Sequence, residues 1–237
     1  MQKNKIHILS TRLIGKALIK KAALQNIIID EIEFIKTEEI SDKGITEKIK
    51  FVLNENITAV FTSMNAVDVV GKLVTTKPSW KIFSIGNATK NLIIKYFGME
   101  SIADTAENAL KLAEKIVERK DIREVTFFCG DQRRDELPET LNCNGIKVHE
   151  VIVYTTIEKA QAITRMYDGI LFFSPSAVNS FLLKNKIAAG TQLFAIGATT
   201  ANALQPFTNQ HVIIAETPGK ENLVNLAIHH FSQSKIV

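Results

Sequence analysis

Six polar points interrupt this chain, each where an apolar run gives way to an amphipathic one. Ser10, Ser63, Gly86, Gly130, Ser174 and Gly197 all sit where a strand ends and a helix begins. In parallel sheets that edge is where ligands bind. Helix N-termini there present unpaired N–H groups and a partial positive charge, which suits carboxylates. Hydroxyls gather at the same points: Thr62, Thr89, Ser174, Ser176, Thr199 and Thr200. Any one of them reads equally as a helix cap, but two copies at matching edges favour binding. Arg12, Arg133 and Arg134 follow two of these edges and offer charge to an acidic ligand, against the plain alternative of solvated surface cations. The phenol of Tyr154 is a proton donor, or else an ordinary strand aromatic. Five scattered histidines show no ligand spacing, and Cys129 and Cys143 are too far apart for a CxxC pair. No metal site is expected. The two thiols read as core or surface groups, and His230 as a packed helix residue.

The stretch Phe127–Thr156, FFCGDQRRDELPETLNCNGIKVHEVIVYTT, positions most of this chemistry. An apolar strand breaks at Gly130 into a turn holding Arg133 and Arg134. A short helix follows, with Pro138 comfortable only in its first turn and Gly145 as its stop. The strand Val148–Thr156 then alternates Val148, Glu150, Ile152 and Tyr154 against His149, Val151 and Val153, so Tyr154 is expected to share a face with Ile152.

Elsewhere strands and helices alternate. Ile6–Ser10 precedes a helix over Ile14–Gln25, with Leu18 and Ala22 on its inner face. Ile27–Ile35 is expected as one strand running on into Lys36 and Thr37, followed by a polar stretch and a helix to about Leu53. Three βα units come next: Ala59–Thr62 with Asn65–Val74, Ile82–Ile85 with Thr89–Phe97, and Ser101–Ala103 with Glu107–Arg119. The last of these helices carries a stripe of Ala109, Leu112, Ala113, Ile116 and Val117, spaced for a face on a sheet. After a polar connector the pattern resumes with Gly169–Phe173, Leu193–Ile196 and His211–Ala215. A final helix, Glu221–Phe231, has Leu223, Leu226, Ala227 and His230 on its expected stripe. This alternation predicts an α/β fold with parallel sheets covered on both faces.

An internal repeat divides the chain. VFTSMNAV at 60–67 lies over LFFSPSAV at 171–178, and FSIGNAT at 83–89 lies over FAIGATT at 194–200, both at an offset of 111 positions. Residues 6–37 resemble 126–157, with Phe34 opposite Tyr154. The halves are therefore duplicates, one cut open by the other. The expected organisation is a discontinuous domain of 1–35 plus 157–237 and an inserted domain of 38–152. Both are doubly wound, flavodoxin-like or Rossmann-like α/β units. Crossings near 33–37 and 151–156 make a two-strand hinge with a cleft beside it, into which Tyr154 is expected to project.

Composition narrows the function classes. At 237 residues, 46% apolar and 23% charged, the chain describes an ordinary globule with enough length for two cores. No apolar run approaches a membrane span. The start, MQKNKIHILS, enters a strand with no signal core, so a cytoplasmic location without membrane insertion is expected. A net charge of +4 is mild: it suits an anionic small molecule and lacks the dense basic stripe of nucleic-acid binding.

These motifs, taken together and in order, resemble the uroporphyrinogen-III synthase family over nearly the whole chain. FTSMNAV is similar to the family's FTSP-x-AV, IGNAT and IGATT to its two Gly-x-x-Thr turns, and FFSPSAV to its SPS segment. CGDQRRDELPETLNCNGIKVHEVIVYTT is similar to its CG…R-x-x-LP…L…G…VY-x-T. Met64 stands where a proline is usual, and Leu13 where Thr-Arg-Pro is common in bacterial members. The resemblance implies a cofactor-free lyase that cyclises linear hydroxymethylbilane, with inversion of ring D, to uroporphyrinogen III and water. It implies a monomer, with the substrate received from the preceding pathway enzyme.

On that reading Tyr154 is the catalytic residue. Arg12, Thr62, Ser63, Gly86, Thr89, Arg134, Ser174, Ser176, Gly197, Thr199 and Thr200 bind substrate. Folding the bilane so that ring D is inverted is an orientation effect, which suits an edge rich in hydroxyls and amides and poor in histidine. Two rivals stand beside it. One is a bilobal binding protein for an anionic small molecule, disfavoured by the missing signal core. The other is a nucleotide-using transferase, for which no GxGxxG or GxxxxGK[ST] loop is present.

Overall fold

The computed structural model describes residues 5–233. They form eleven strands and nine α-helices, and the chain divides into two compact units. One unit takes the residues up to Lys36 and those from Ile157 onward; the other is Thr37–Thr156.

The first unit is built on a five-stranded sheet. Its strands are β1 (Ile6–Ser10), β2 (Ile27–Glu31), β9 (Gly169–Phe172), β10 (Gln192–Ala195) and β11 (Val212–Ile214), in the order β11-β10-β9-β1-β2. All of these neighbours run parallel, so each connection must cross over a face. Helices α1 (Lys16–Ala23) and α9 (Lys220–Gln233) cover one face. There Ala22, Leu223, Val224, Ala227 and Ile228 bury against Ile8, Leu171 and Phe194. Helices α7 (Pro175–Leu182) and α8 (Ala198–Leu204) cover the other, where Phe181 and Leu204 meet Leu9, Ile170 and Leu193.

The second unit has six strands in the order β3-β8-β7-β4-β5-β6. These are β3 (Ile35–Glu39), β4 (Thr58–Phe61), β5 (Lys81–Ile85), β6 (Ile102–Ala106), β7 (Glu124–Gly130) and β8 (Lys147–Glu158). Helices α2 (Lys43–Leu53), α3 (Met64–Gly71) and α4 (Asn87–Phe97) lie on one face and α5 (Ala109–Glu118) and α6 (Glu136–Cys143) on the other. The predicted α5 stripe is real: Leu112, Ala113 and Ile116 are buried, with Ala109 and Val117 packed at their edge. Local chemistry fixes the helix starts. Asp42 accepts from the Ile45 N–H, and Asn108 from the Lys111 N–H, each satisfying a donor that the helix leaves unpaired.

The duplication is visible in the sheets. β11, β10, β9, β1 and β2 follow the order of β6, β5, β4, β7 and β8. Two sequence expectations fail. The strand expected over Ile27–Ile35 and onward is two strands, β2 and β3, in different sheets. The break at 32–34 lets Phe34 turn fully into the first unit's core, edge-on to Phe181 at 5.2 Å. The inner stripe of α9 is also shifted: Val224 and Ile228 bury with Leu223 and Ala227, whereas Leu226 stays at the rim. His230 packs as a ring between Phe194 and Phe231, as its place in the sequence suggests.

The second unit's core is anchored by the single tryptophan of the chain. Trp80 stacks on Phe97 and Phe128, each at 5.5 Å, and donates its indole N–H to the Val52 carbonyl at 3.2 Å. Trp80→Ala removes that volume and the indole bond to a carbonyl that keeps only the Glu55 N–H, at 3.0 Å. We expect it to cost about 3–5 kcal/mol, read as a lowered urea midpoint by circular dichroism; an unchanged midpoint would contradict this packing role.

Candidate active site

The carboxyl ends of β4, β5, β7 and β8 carry the second unit's candidate residues. Ser63 leaves β4 in extended backbone and caps α3, its Oγ accepting from the Asn65 N–H at 3.1 Å. The same oxygen accepts from the Tyr154 phenol at 3.1 Å. Ser63 and Tyr154 are thus brought together, while Thr62 beside them is half-buried.

Tyr154 does not share a face with Ile152, contrary to the alternation of its strand. β8 pairs with β7 residue for residue up to Ile152 opposite Cys129, and then Tyr154 lies opposite Gly130, with one residue of β8 passed over. This bulge rotates Tyr154 onto the side of Val151 and Val153, where it packs against the α3 core, while Ile152 stays exposed. Gly130 makes it possible. A Cβ on Gly130 would lie 2.4 Å from the Tyr154 Cζ, so any larger residue evicts the ring.

Burial pushes the Tyr154 phenol above its ordinary value, and the hydrogen bond to Ser63 opposes this only in part. At neutral pH the group is protonated and holds a proton to give. Because either hydroxyl can donate, the pair can turn, with Ser63 donating to Tyr154 and Tyr154 donating outward.

Around this pair the structure sorts the remaining candidates. Arg133 is committed: it makes a bidentate pair with Glu150, at 2.5 and 2.7 Å, and a further bond to Asp135. It therefore braces the loop and is not available to a ligand. Arg134 is exposed and, among the described residues, has no charged partner in contact. α6 begins amid Asp135, Glu136 and Glu139, a poor place for a carboxylate. α4 differs, starting at Gly86 with no side-chain cap. Gly86 has φ 67° and ψ 157°, a region almost closed to other residues. Thr89, in the first turn of α4, is buried and therefore unsuited to direct contact.

The first unit repeats the plan with differences. Ser174 caps α7 through the Ala177 N–H at 3.1 Å, with Ser176 half-buried in its first turn. The Arg12 guanidinium lies over the Phe173 ring, 5.6 Å from its centre, so Arg12, Phe173 and Ser174 form one group. In the sequence Phe173 looks like any other strand residue, marked only by its place before SPS. The start of α1 is already filled: Glu31 accepts from the N–H groups of Ile14 and Gly15 at 2.5 and 3.2 Å. Gly197 begins α8 in extended backbone, where a Cβ would meet only Pro218, at 4.0 Å. Neither strain nor packing requires a glycine there. Thr199 is half-buried and Thr200 buried, so of the two hydroxyls Thr199 is the one presented.

Two measurements check this geometry. Gly130→Ala should cost about 1–3 kcal/mol of stability, typical of overpacking, and displace the Tyr154 ring, seen as a moved ring signal by NMR; an unmoved ring would contradict the close approach. All three tyrosines, Tyr96, Tyr154 and Tyr167, have raised values, Tyr167 to about 12 through burial. Their protonated forms are thus favoured by folding. The stability they contribute is complete below the unfolded value of ~10 and is lost as pH rises beyond it. Tyrosinate absorbance of the folded protein should appear at higher pH than in denaturant; coincident titrations would contradict the burial of Tyr154 and Tyr167 and the bond that Tyr96 donates to Asp68.

Known proteins share this fold and sequence pattern. The sequence pattern described as uroporphyrinogen-III synthase HemD matches residues 17–225. Uroporphyrinogen-III synthase of Saccharomyces cerevisiae is 27% identical over 210 residues, covering 77% of this chain and 73% of its own. The crystal structure of uroporphyrinogen-III synthetase from Helicobacter pylori matches with a TM-score of 0.66 at 16% identity, over 95% of this chain and 99% of that one. A mutant uroporphyrinogen III synthase from Thermus thermophilus matches at 0.70 with 13% identity, over 97% and 99%. These two structures share the α/β fold with its parallel sheets. Since the family's pattern runs through both units, from α1 into α9, the chain belongs to the uroporphyrinogen-III synthase family.

Proposed function

We propose that this protein, a cyclising lyase of tetrapyrrole biosynthesis by its family, closes linear hydroxymethylbilane with Tyr154 as the proton donor to the departing hydroxyl. What supports the choice of residue is the hydroxyl pair of Tyr154 and Ser63 at the carboxyl edge of the second unit's sheet, half-buried and protonated.

The chemistry asks little of an enzyme's acid and much of its shape. The nitrogen of the terminal pyrrole pushes out the hydroxyl of its hydroxymethyl group, which leaves as water with a proton from the phenol. The resulting methylene is attacked by the substituted carbon of ring D, forming a spiro centre. That centre breaks its original bond to the bridging carbon, which then bonds the other, unsubstituted α-carbon of ring D across the nitrogen, inverting the ring. The proton lost when ring D regains its aromaticity restores the phenol, so the sum is uroporphyrinogen III plus water. Ser63 donates to the phenol oxygen while it is short of a proton. Arg12, Arg134, Thr62, Ser63, Ser174, Ser176, Gly86, Gly197 and Thr199 are proposed to meet the substrate's carboxylates and rings, with Thr89 and Thr200 supporting them from beneath. Holding the bilane in the one conformation that permits the spiro step is an orientation effect.

Purified protein should convert hydroxymethylbilane to the type III isomer, and only type I, the product without ring inversion, would sink the assignment. Tyr154→Phe should fold and bind product normally, with turnover lowered within the roughly 10²–10⁴-fold range of a lost general acid. Thr199→Ala should cost less, because backbone N–H groups share its load. Near-full turnover in Tyr154→Phe with loss in Thr199→Ala would move the acid elsewhere.

A further inference from the structure

The residue after Gly130 touches the Tyr154 segment twice. The Asp131 backbone N–H donates to the Tyr154 carbonyl at 3.1 Å, and its carboxylate Oδ1 accepts from the Thr156 N–H at 2.9 Å. Next to it, the Gln132 amide donates to the Thr156 carbonyl at 3.3 Å. The register of β7 and β8 shifts between Cys129 and Gly130, and the pair Gly130 and Tyr154 is the last of the ladder, so beyond Tyr154 no strand pairing with β7 holds β8. The Asp131 N–H closes that last pair, and its carboxylate extends the hold past residue 155 to Thr156. Its side chain is exposed and pairs with no cation among the described residues, so a surface ion pair does not account for it.

We propose that Asp131 is a positioning residue for the cyclisation: by holding Thr156 N–H it locks the β8 bulge and aims the Tyr154 phenol. This rests on the role given to Tyr154 above. The carboxylate does not act on the substrate. It acts as an acceptor, a role that an asparagine Oδ1 can also fill. A phenol hung on an unlocked bulge swings on its strand, and displacement of a catalytic group by about 1 Å can cost as much as ~10²-fold.

The test uses the full chain carrying ring-labelled tyrosine, with Asp131→Ala, Asp131→Asn and Tyr154→Phe alone and combined. Asp131→Ala should shift or broaden the Tyr154 ring signal by NMR and lower kcat by roughly 10- to 100-fold, with KM changed less than about twofold. Asp131→Asn should restore both the signal and kcat. In the Tyr154→Phe background, Asp131→Ala should have little further effect, the non-additivity expected of groups acting as one unit. An unmoved ring signal and full kcat in Asp131→Ala overturn the proposal. So does an Asp131→Asn variant as impaired as Asp131→Ala, or an equal loss in the Tyr154→Phe background. If Tyr154→Phe alone is fully active, the reading of Tyr154 fails. The ring signal then still reports whether Asp131 holds the bulge.

Discussion

The contact on which the site depends is the one between Gly130 and the Tyr154 ring. With no side chain at 130, the ring lies against the backbone of β7, 2.4 Å from where a Cβ would be. The β8 bulge brings it there, and burial in that place raises the phenol and keeps it protonated. The hydrogen bond to Ser63 ties the oxygen to the cap of α3. One absent methyl group thus decides which face of a strand the phenol takes, how far it is buried and which partner it meets. The Arg133–Glu150 pair and the Asp131–Thr156 bond hold the loop that contains the gap.

Duplication explains the remainder, and the differences between the copies show where chemistry has been added. Ser63 and Ser174 cap matching helices through the same atom. Gly86 and Gly197 both begin helices without a side-chain cap, yet only Gly86 has a backbone that demands glycine. Phe34, the counterpart of Tyr154, is sealed in the core against Phe181. Its copy keeps the ring half-buried and adds an oxygen that reaches Ser63. The duplicated plan thus holds a sealed core aromatic in one unit and a phenol with a proton to give in the other.

Much of this was legible in the sequence. Alternating strands and helices, the α5 stripe and the 111-residue offset are periodic signals, and parallel sheets covered on both faces follow from them. The polar points at strand ends were legible too, because caps and tight turns leave serine and glycine behind. What stayed hidden depends on single contacts between distant residues. Nothing in the alternation of VIVYTT reveals that β8 skips a residue opposite Gly130, so alternation alone puts Tyr154 on the wrong face. Nothing near Arg133 in sequence shows that Glu150 consumes its charge, or that Glu31 fills the start of α1. The break before Ile35 was hidden for the same reason, since an unbroken apolar run looks alike whether it continues or turns Phe34 inward.

The central claim is that a protonated phenol at position 154 assists departure of the hydroxyl, and its most direct test is to change the acidity of that phenol alone. Fluorinated tyrosines placed at 154 keep the ring and the oxygen while lowering the phenol's pKa. The account predicts that the alkaline limb of kcat for type III product moves to lower pH in step with the phenol's acidity. An alkaline limb that stays in place across the series would contradict it.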